Sequence, residues 1–221
     1  MTKQIEDIKS ARAVIWPFRK MNQPMGELLD NGRITPKDLE FAAKKAYNQD
    51  VKTAADLLLW VHYARQVVWP FRKLDKRWTI YRNLQLPDSK ADLDAVLVGP
   101  PGVLVIEIKA YTGSFKVNGD RWHYRRAGRW YQNDKSPLRQ ALANKRRLNA
   151  YLAQNNLSEI PVDTAVILGR DPDYIHFHKP VIPVRRLRDM DKILEPYIQQ
   201  PTLPGAQVVA VKWLLNKICP I

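Results

Sequence analysis

The chain reads as an α/β domain preceded by an all-helical segment, and three observations predict this. Ala95-Val96-Leu97-Val98, Val103-Leu104-Val105-Ile106 and Val162–Leu168 are short apolar runs rich in β-branched residues, the composition of buried strands. A long helix separates the second run from the third, so the third strand is expected to lie parallel to a neighbour. The first 74 residues carry helix starts instead of alternating strands.

Thr35-Pro36-Lys37-Asp38 and Thr53-Ala54-Ala55-Asp56 each place a threonine at a helix cap with an acid three residues on. They frame helices near 36–47 and 54–67. Around them Ala11–Met21 returns as Ala64–Leu74, with eight of eleven positions identical, including Trp-Pro-Phe-Arg-Lys. A single pair of repeats is too few for a solenoid. The segment 1–74 is therefore expected to be a helical subdomain in which the duplicated aromatics act as hydrophobic plugs or dock a protein partner or a second copy. The remainder, 75–221, forms the α/β domain.

Within it Arg77–Leu84 alternates as a first strand ended by Pro87-Asp88-Ser89. Strands at about 92–98 and 103–109 are joined by Gly99-Pro100-Pro101-Gly102, a tight turn that predicts an antiparallel hairpin. Gly113–Val117 and Arg121–Arg126 add a meander around Asn118-Gly119. Ser136-Pro137 opens a helix, serine as cap and proline at the first position, running to about Gln154. Leu138, Leu142, Leu148 and Leu152 face inward, and Arg139, Lys145, Arg146 and Arg147 face out. His176 and His178 share a face of a polar edge strand. Helices near 187–199 and 205–217 close the chain.

Lys+Arg 36 against Asp+Glu 22 gives a net charge of +14, which favours a polyanionic partner. No run approaches the roughly 18 apolar residues of a spanning helix, and the first residues lack the apolar core of a signal peptide. Cys219 is alone and cannot form an internal disulfide. These features predict a cytoplasmic protein without a membrane partner. The charge is concentrated: residues 109–147 hold eleven Lys/Arg against Asp120 and Asp134, a balance of +9. Arg121, Arg125, Arg126 and Arg129 are interleaved there with Trp122, Tyr124, Trp130 and Tyr131, and Arg139, Lys145, Arg146 and Arg147 follow on the helix. Cations and rings in that mixture suit phosphates and bases, of DNA or RNA. The bland alternative is a hairpin whose aromatics pack cross-strand while its arginines solvate the outer face.

Glu107-Ile108-Lys109 ends one apolar run and Asp94 begins another. Strand alternation sends Glu107 and Lys109 to one face and Ile106 and Ile108 to the other. Two carboxylates and an amine beside buried strands are costly without a use. Hydrolysis of a phosphodiester supplies one: carboxylate oxygens hold a hard divalent cation, and a lysine stands by the water or the phosphate. An ion pair capping a strand end is the structural alternative.

From Leu74 onward the order of residues resembles the NERD domain, the nuclease-related branch of the PD-(D/E)XK nuclease superfamily. The matching pieces are Trp78–Leu84, Leu93–Lys109, Gly113 and Pro137-Leu138-Arg139-Gln140. The resemblance implies a restriction-endonuclease-like mixed central sheet flanked by helices, Mg²⁺ or Mn²⁺ as cofactor, and action on DNA. It implies Asp94, Glu107 and the Ile108 carbonyl as metal ligands, Lys109 as the catalytic lysine and Gln140 as a catalytic-site glutamine on the helix. Such domains usually carry a further glutamate on the helix before the first strand. Leu57–Lys73 has no acid, and Asp56 and Glu40 are the nearest substitutes. The expected function is a metal-dependent deoxyribonuclease; the alternative is a non-catalytic nucleic-acid-binding or adaptor protein on the same scaffold.

Overall fold

The computed structural model describes Phe71, residues 74–87, Ser89, and residues 92–111 and 113–219. The expected N-terminal helices, most of the repeated segment, Glu40 and Asp56 lie outside these residues. Phe71, in the second repeat, is buried.

The described strands are β1 Thr79–Gln85, β2 Asp92–Gly99, β3 Gly102–Lys109, β4 Ser114–Asn118, β5 Arg121–Arg126, β6 Arg129–Asn133, β7 Val162–Leu168, β8 Tyr174–His178 and β9 Val184–Arg186; the helices are α1 Pro137–Gln154, α2 Asp191–Ile198 and α3 Gly205–Asn216. They form a five-stranded sheet ordered β1-β2-β3-β7-β9 and a four-stranded sheet ordered β6-β5-β4-β8. Both are mixed, and with the helices they give the α/β architecture expected of a restriction-endonuclease-like fold.

The Pro-Pro turn makes the predicted hairpin, with Gly99 opposite Gly102. Two prolines fit a turn because neither is asked for a ladder N–H. β7 lies parallel to β3, with Glu107 opposite Val166 and Lys109 opposite Leu168. α1 is the crossover between them, held on β7 by Thr164, whose hydroxyl donates to the Val105 carbonyl at 3.0 Å and lies 3.4 Å from the Ala141 carbonyl. Val96, Val98, Val103, Val105, Leu148 and Leu152 pack with Val208, Val211 and Leu215 of α3 into one core. Tyr81 ties α3 to β1, its hydroxyl 3.1 Å from the Lys212 carbonyl and 2.9 Å from Asn216 Oδ1. A second core joins Phe115, Val117 and Trp122 of the small sheet to Leu138 and Ala141 of α1 and to Val166, Leu168 and Val184.

Several expectations shift. The first strand begins at Thr79, not Arg77, because Asp75 captures Arg77 in an ion pair at 2.7 Å and forms a turn with Trp78. Asn118 pairs with Arg121, which moves the turn centre to Gly119-Asp120, with Gly119 at φ 59°. The meander has a third strand, β6, beyond the two expected, and it sets Tyr131 opposite Tyr124. Ser136 holds the cap position of α1, yet its hydroxyl donates to the Asp120 carbonyl at 2.7 Å and makes no cap bond. Leu142 is only half-buried, while Asn144 is buried. The helix expected over 187–199 is a 3-10 turn, Leu187–Asp189, followed by α2, which contains Pro196. The edge position of β8 agrees with its reading, and His176 and His178 are exposed.

Candidate active site

Glu107 and Lys109 leave β3 on the face that carries α1, and the register fixes what meets them. Asp94 lies on the neighbouring strand, one residue beyond the last ladder pair, Ala95 with Ile106. Its side chain replaces the missing rung: Asp94 Oδ2 accepts the Ile108 main-chain N–H at 2.7 Å. Both groups of a residue in an extended strand leave on the same side. The Ile108 carbonyl therefore leaves toward Asp94 as well.

Glu107 is 1% exposed. Its Oε2 accepts from Asn144 Nδ2 at 2.9 Å, and Asn144 Oδ1 accepts from Arg147 Nη1 at 2.8 Å. Its Oε1 lies 2.6 Å from Lys109 Nζ. That contact is an ion pair, and it is what balances the buried Oε1 among the described residues. Lys109 Nζ also donates to Gln140 Oε1 at 3.0 Å. Four of the expected site residues, Asp94, Glu107, Lys109 and Gln140, thus come together around Ile108.

The electrostatics follow from crowding acids in a dry place. Burial first, and the Asp94 carboxylate second, push Glu107 up to about 7. Burial also raises Asp94, against the Ile108 hydrogen bond and the Lys109 charge that favour its ionised form. Burial pulls Lys109 down, but Glu107 and Asp94 outweigh it and the ammonium is held above its ordinary value. Two neighbouring carboxylates form an oxygen-only donor set, which suits a hard divalent cation. Among the described residues no third acid, histidine or cysteine joins them.

Asn144 was not foreseen. The signal was present: Leu138, Ala141, Leu148 and Leu152 define the buried stripe of α1, and an asparagine interrupts it one turn from each side. A polar residue on such a stripe needs a buried partner, and here the partner is Glu107.

The residues expected to contact nucleic acid are dispersed. Arg139 is paired with Asp120 at 2.8 Å, and Lys145 is 3.7 Å from Asp163. Arg147 serves Asn144, while Arg125 donates to the Gly128 carbonyl at 3.3 Å. Arg121, Arg126, Arg129 and Arg146 are exposed.

No curated protein and no solved structure matches this chain. Residues 62–169 match the family described as the nuclease-related domain, NERD. The match ends just after β7, so it spans the hairpin, the acid–lysine cluster, α1 and the parallel strand that completes the crossover. Over that span, just under half of its length, the chain is similar to the nuclease-related domain family.

Proposed function

We propose that this protein is a divalent-metal-dependent nuclease that hydrolyses DNA phosphodiester bonds. The observation that carries the reading is the pair of largely buried carboxylates, Asp94 and Glu107, crowded together with Lys109 as their neighbouring cation. Two acids buried side by side against one ammonium are expensive to keep unless a further cation is shared between them. Asp94, Glu107 and the Ile108 carbonyl would hold Mg²⁺ or Mn²⁺. When bound, the cation would polarise the phosphate and lower the pKa of an attacking water.

The protein's own residues do the rest. Asn144 fixes one oxygen of Glu107 and leaves the other directed at the site. The Ile108 N–H fixes Asp94 in the same way. Gln140 holds the Lys109 ammonium by its side-chain carbonyl, so that the charge stays next to the acids, where it can orient water or offset charge developing on the phosphate. Supercoiled plasmid incubated with Mg²⁺ or Mn²⁺ should be nicked or linearised, with the rate lowered on the order of 100-fold or more in Glu107→Ala and Lys109→Ala. An intact plasmid across metals, or undiminished cutting by both variants, would overturn the reading.

One observation favours a second reading, a nucleic-acid-binding protein that does not cut: only two acids meet at the site among the described residues. Its signature is steeply salt-dependent DNA binding that ignores EDTA and Glu107→Ala, with no cleavage.

A further inference from the structure

The four-stranded sheet has an inner and an outer face. Phe115, Val117 and Trp122 point into the core shared with α1, and Ile175 and Phe177 pack on it from β8. Alternation then sends Lys116, Arg121, Arg125, Trp130, Tyr174 and His176 to the opposite side. Tyr174 is 46% exposed, and Arg121, Arg125 and His176 are exposed as well. The strands SFKVN, RWHYRR, RWYQN and YIHFH contain no acid, so the face is uniformly cationic or neutral.

Its centre is aromatic. Trp130 and Tyr174 stand on β6 and β8, the two edges of the sheet, yet their ring centroids are only 6.3 Å apart with planes at 55°. The two side chains lean toward each other across β5 and β4. Lys116 Nζ lies 4.3 Å from the Trp130 ring centroid, and the Arg125 guanidinium lies 6.0 Å from it. Large rings held at the surface between cations offer π-faces to planar groups and positive charge to whatever links those groups. In duplex DNA the π-faces of the bases are already stacked on one another. In a single strand they are available, and base–aromatic stacking is indifferent to sequence. A four-stranded sheet with outward aromatics is a shape that single-stranded nucleic acid is known to lie on.

We propose that this outer face is a binding platform for single-stranded DNA, with bases on Trp130 and Tyr174 and backbone phosphates on Lys116, Arg121 and Arg125. It names the form of substrate that the proposed nuclease handles and rests on that reading for its purpose, while the binding itself needs no metal. The test uses the full chain in EDTA and a fluorescein-labelled oligo(dT) of about 20 nucleotides, with a duplex of the same length and polyglutamate as competitors. Oligo(dT) should bind, quench tryptophan fluorescence and resist displacement by the other two. Trp130→Ala and Tyr174→Ala should each weaken it roughly tenfold, and Trp130→Phe should restore most of the loss. Tyr174 is exposed at a strand end, so its variant stays folded even where that of Trp130 does not. The proposal falls if oligo(dT) does not bind, if the duplex or polyglutamate competes equally, or if Tyr174→Ala binds like the parent. A protein that binds oligo(dT) in EDTA but never cuts plasmid sinks the nuclease reading and leaves the platform standing. One that cuts plasmid without holding oligo(dT) does the reverse.

Discussion

Glu107 is an acid kept where water cannot solvate it, and its protonation should therefore report on folding. Its folded value of about 7 lies above the ordinary 4.5, owing first to burial and then to Asp94. Between those values the native protein keeps a proton that the unfolded chain has released. Stability from this source is full below about 4.5 and is lost as pH rises through 7. Asp94, also raised, acts in the same direction. Asp75, Asp120 and Asp189 have lowered values through exposed pairs with Arg77, Arg139 and Lys192, and they act in the opposite sense only in more acidic solution. In EDTA the melting temperature should accordingly be higher at about pH 5 than at about pH 7.5, and Glu107→Gln should flatten that difference. An equal slope in the variant would show that the proton resides elsewhere.

At the scale of the element, the β2–β3 hairpin is what brings Asp94 to Glu107, and its geometry depends on glycine at 102. Gly102 has φ 134°, and a Cβ there would stand 2.5 Å from the Pro161 carbonyl oxygen, the same oxygen that accepts the Val103 N–H at 2.9 Å. Gly113 has φ 99° but open space around a would-be Cβ. Both positions strain an alanine, and only one also collides with backbone. Gly102→Ala should cost more than the roughly 1–3 kcal/mol of strain alone, and Gly113→Ala should fall within that range, as read from denaturant midpoints at unchanged slope. Equal losses would mean that the contact with Pro161 relaxes without cost.

At the scale of the whole molecule, what could be read from the sequence was what is local or periodic. The hairpin announced itself by Gly-Pro-Pro-Gly, β7 by its apolar run after a helix, and the Glu107/Lys109 pairing by strand alternation. The separate small sheet was harder to read, because β8 joins β4 from 60 residues away and no local pattern specifies that partner. Asn144 was hidden for the same reason: it is 37 residues from the glutamate that explains it. The dispersal of the helix cations into pairs with Asp120 and Asp163 also needed the fold, since neither acid is near in sequence to its partner.

The bond from Asp94 to the Ile108 main chain bears on which mutations this protein can absorb. Every residue except proline offers the same N–H at 108, so the letter written there hardly matters to Asp94. Length does matter. With Gly99 facing Gly102, the loop has two residues and none to spare. Removing either Pro100 or Pro101 forces the strands to slip by one, which turns Asp94 to the wrong side of the sheet. In a scan across 92–109 scored by plasmid nicking, apolar replacements of Ile108 should survive, and single deletions in the loop should not, even among variants that still fold. For lineages carrying this hairpin, drift in spelling is cheap and drift in length is closed.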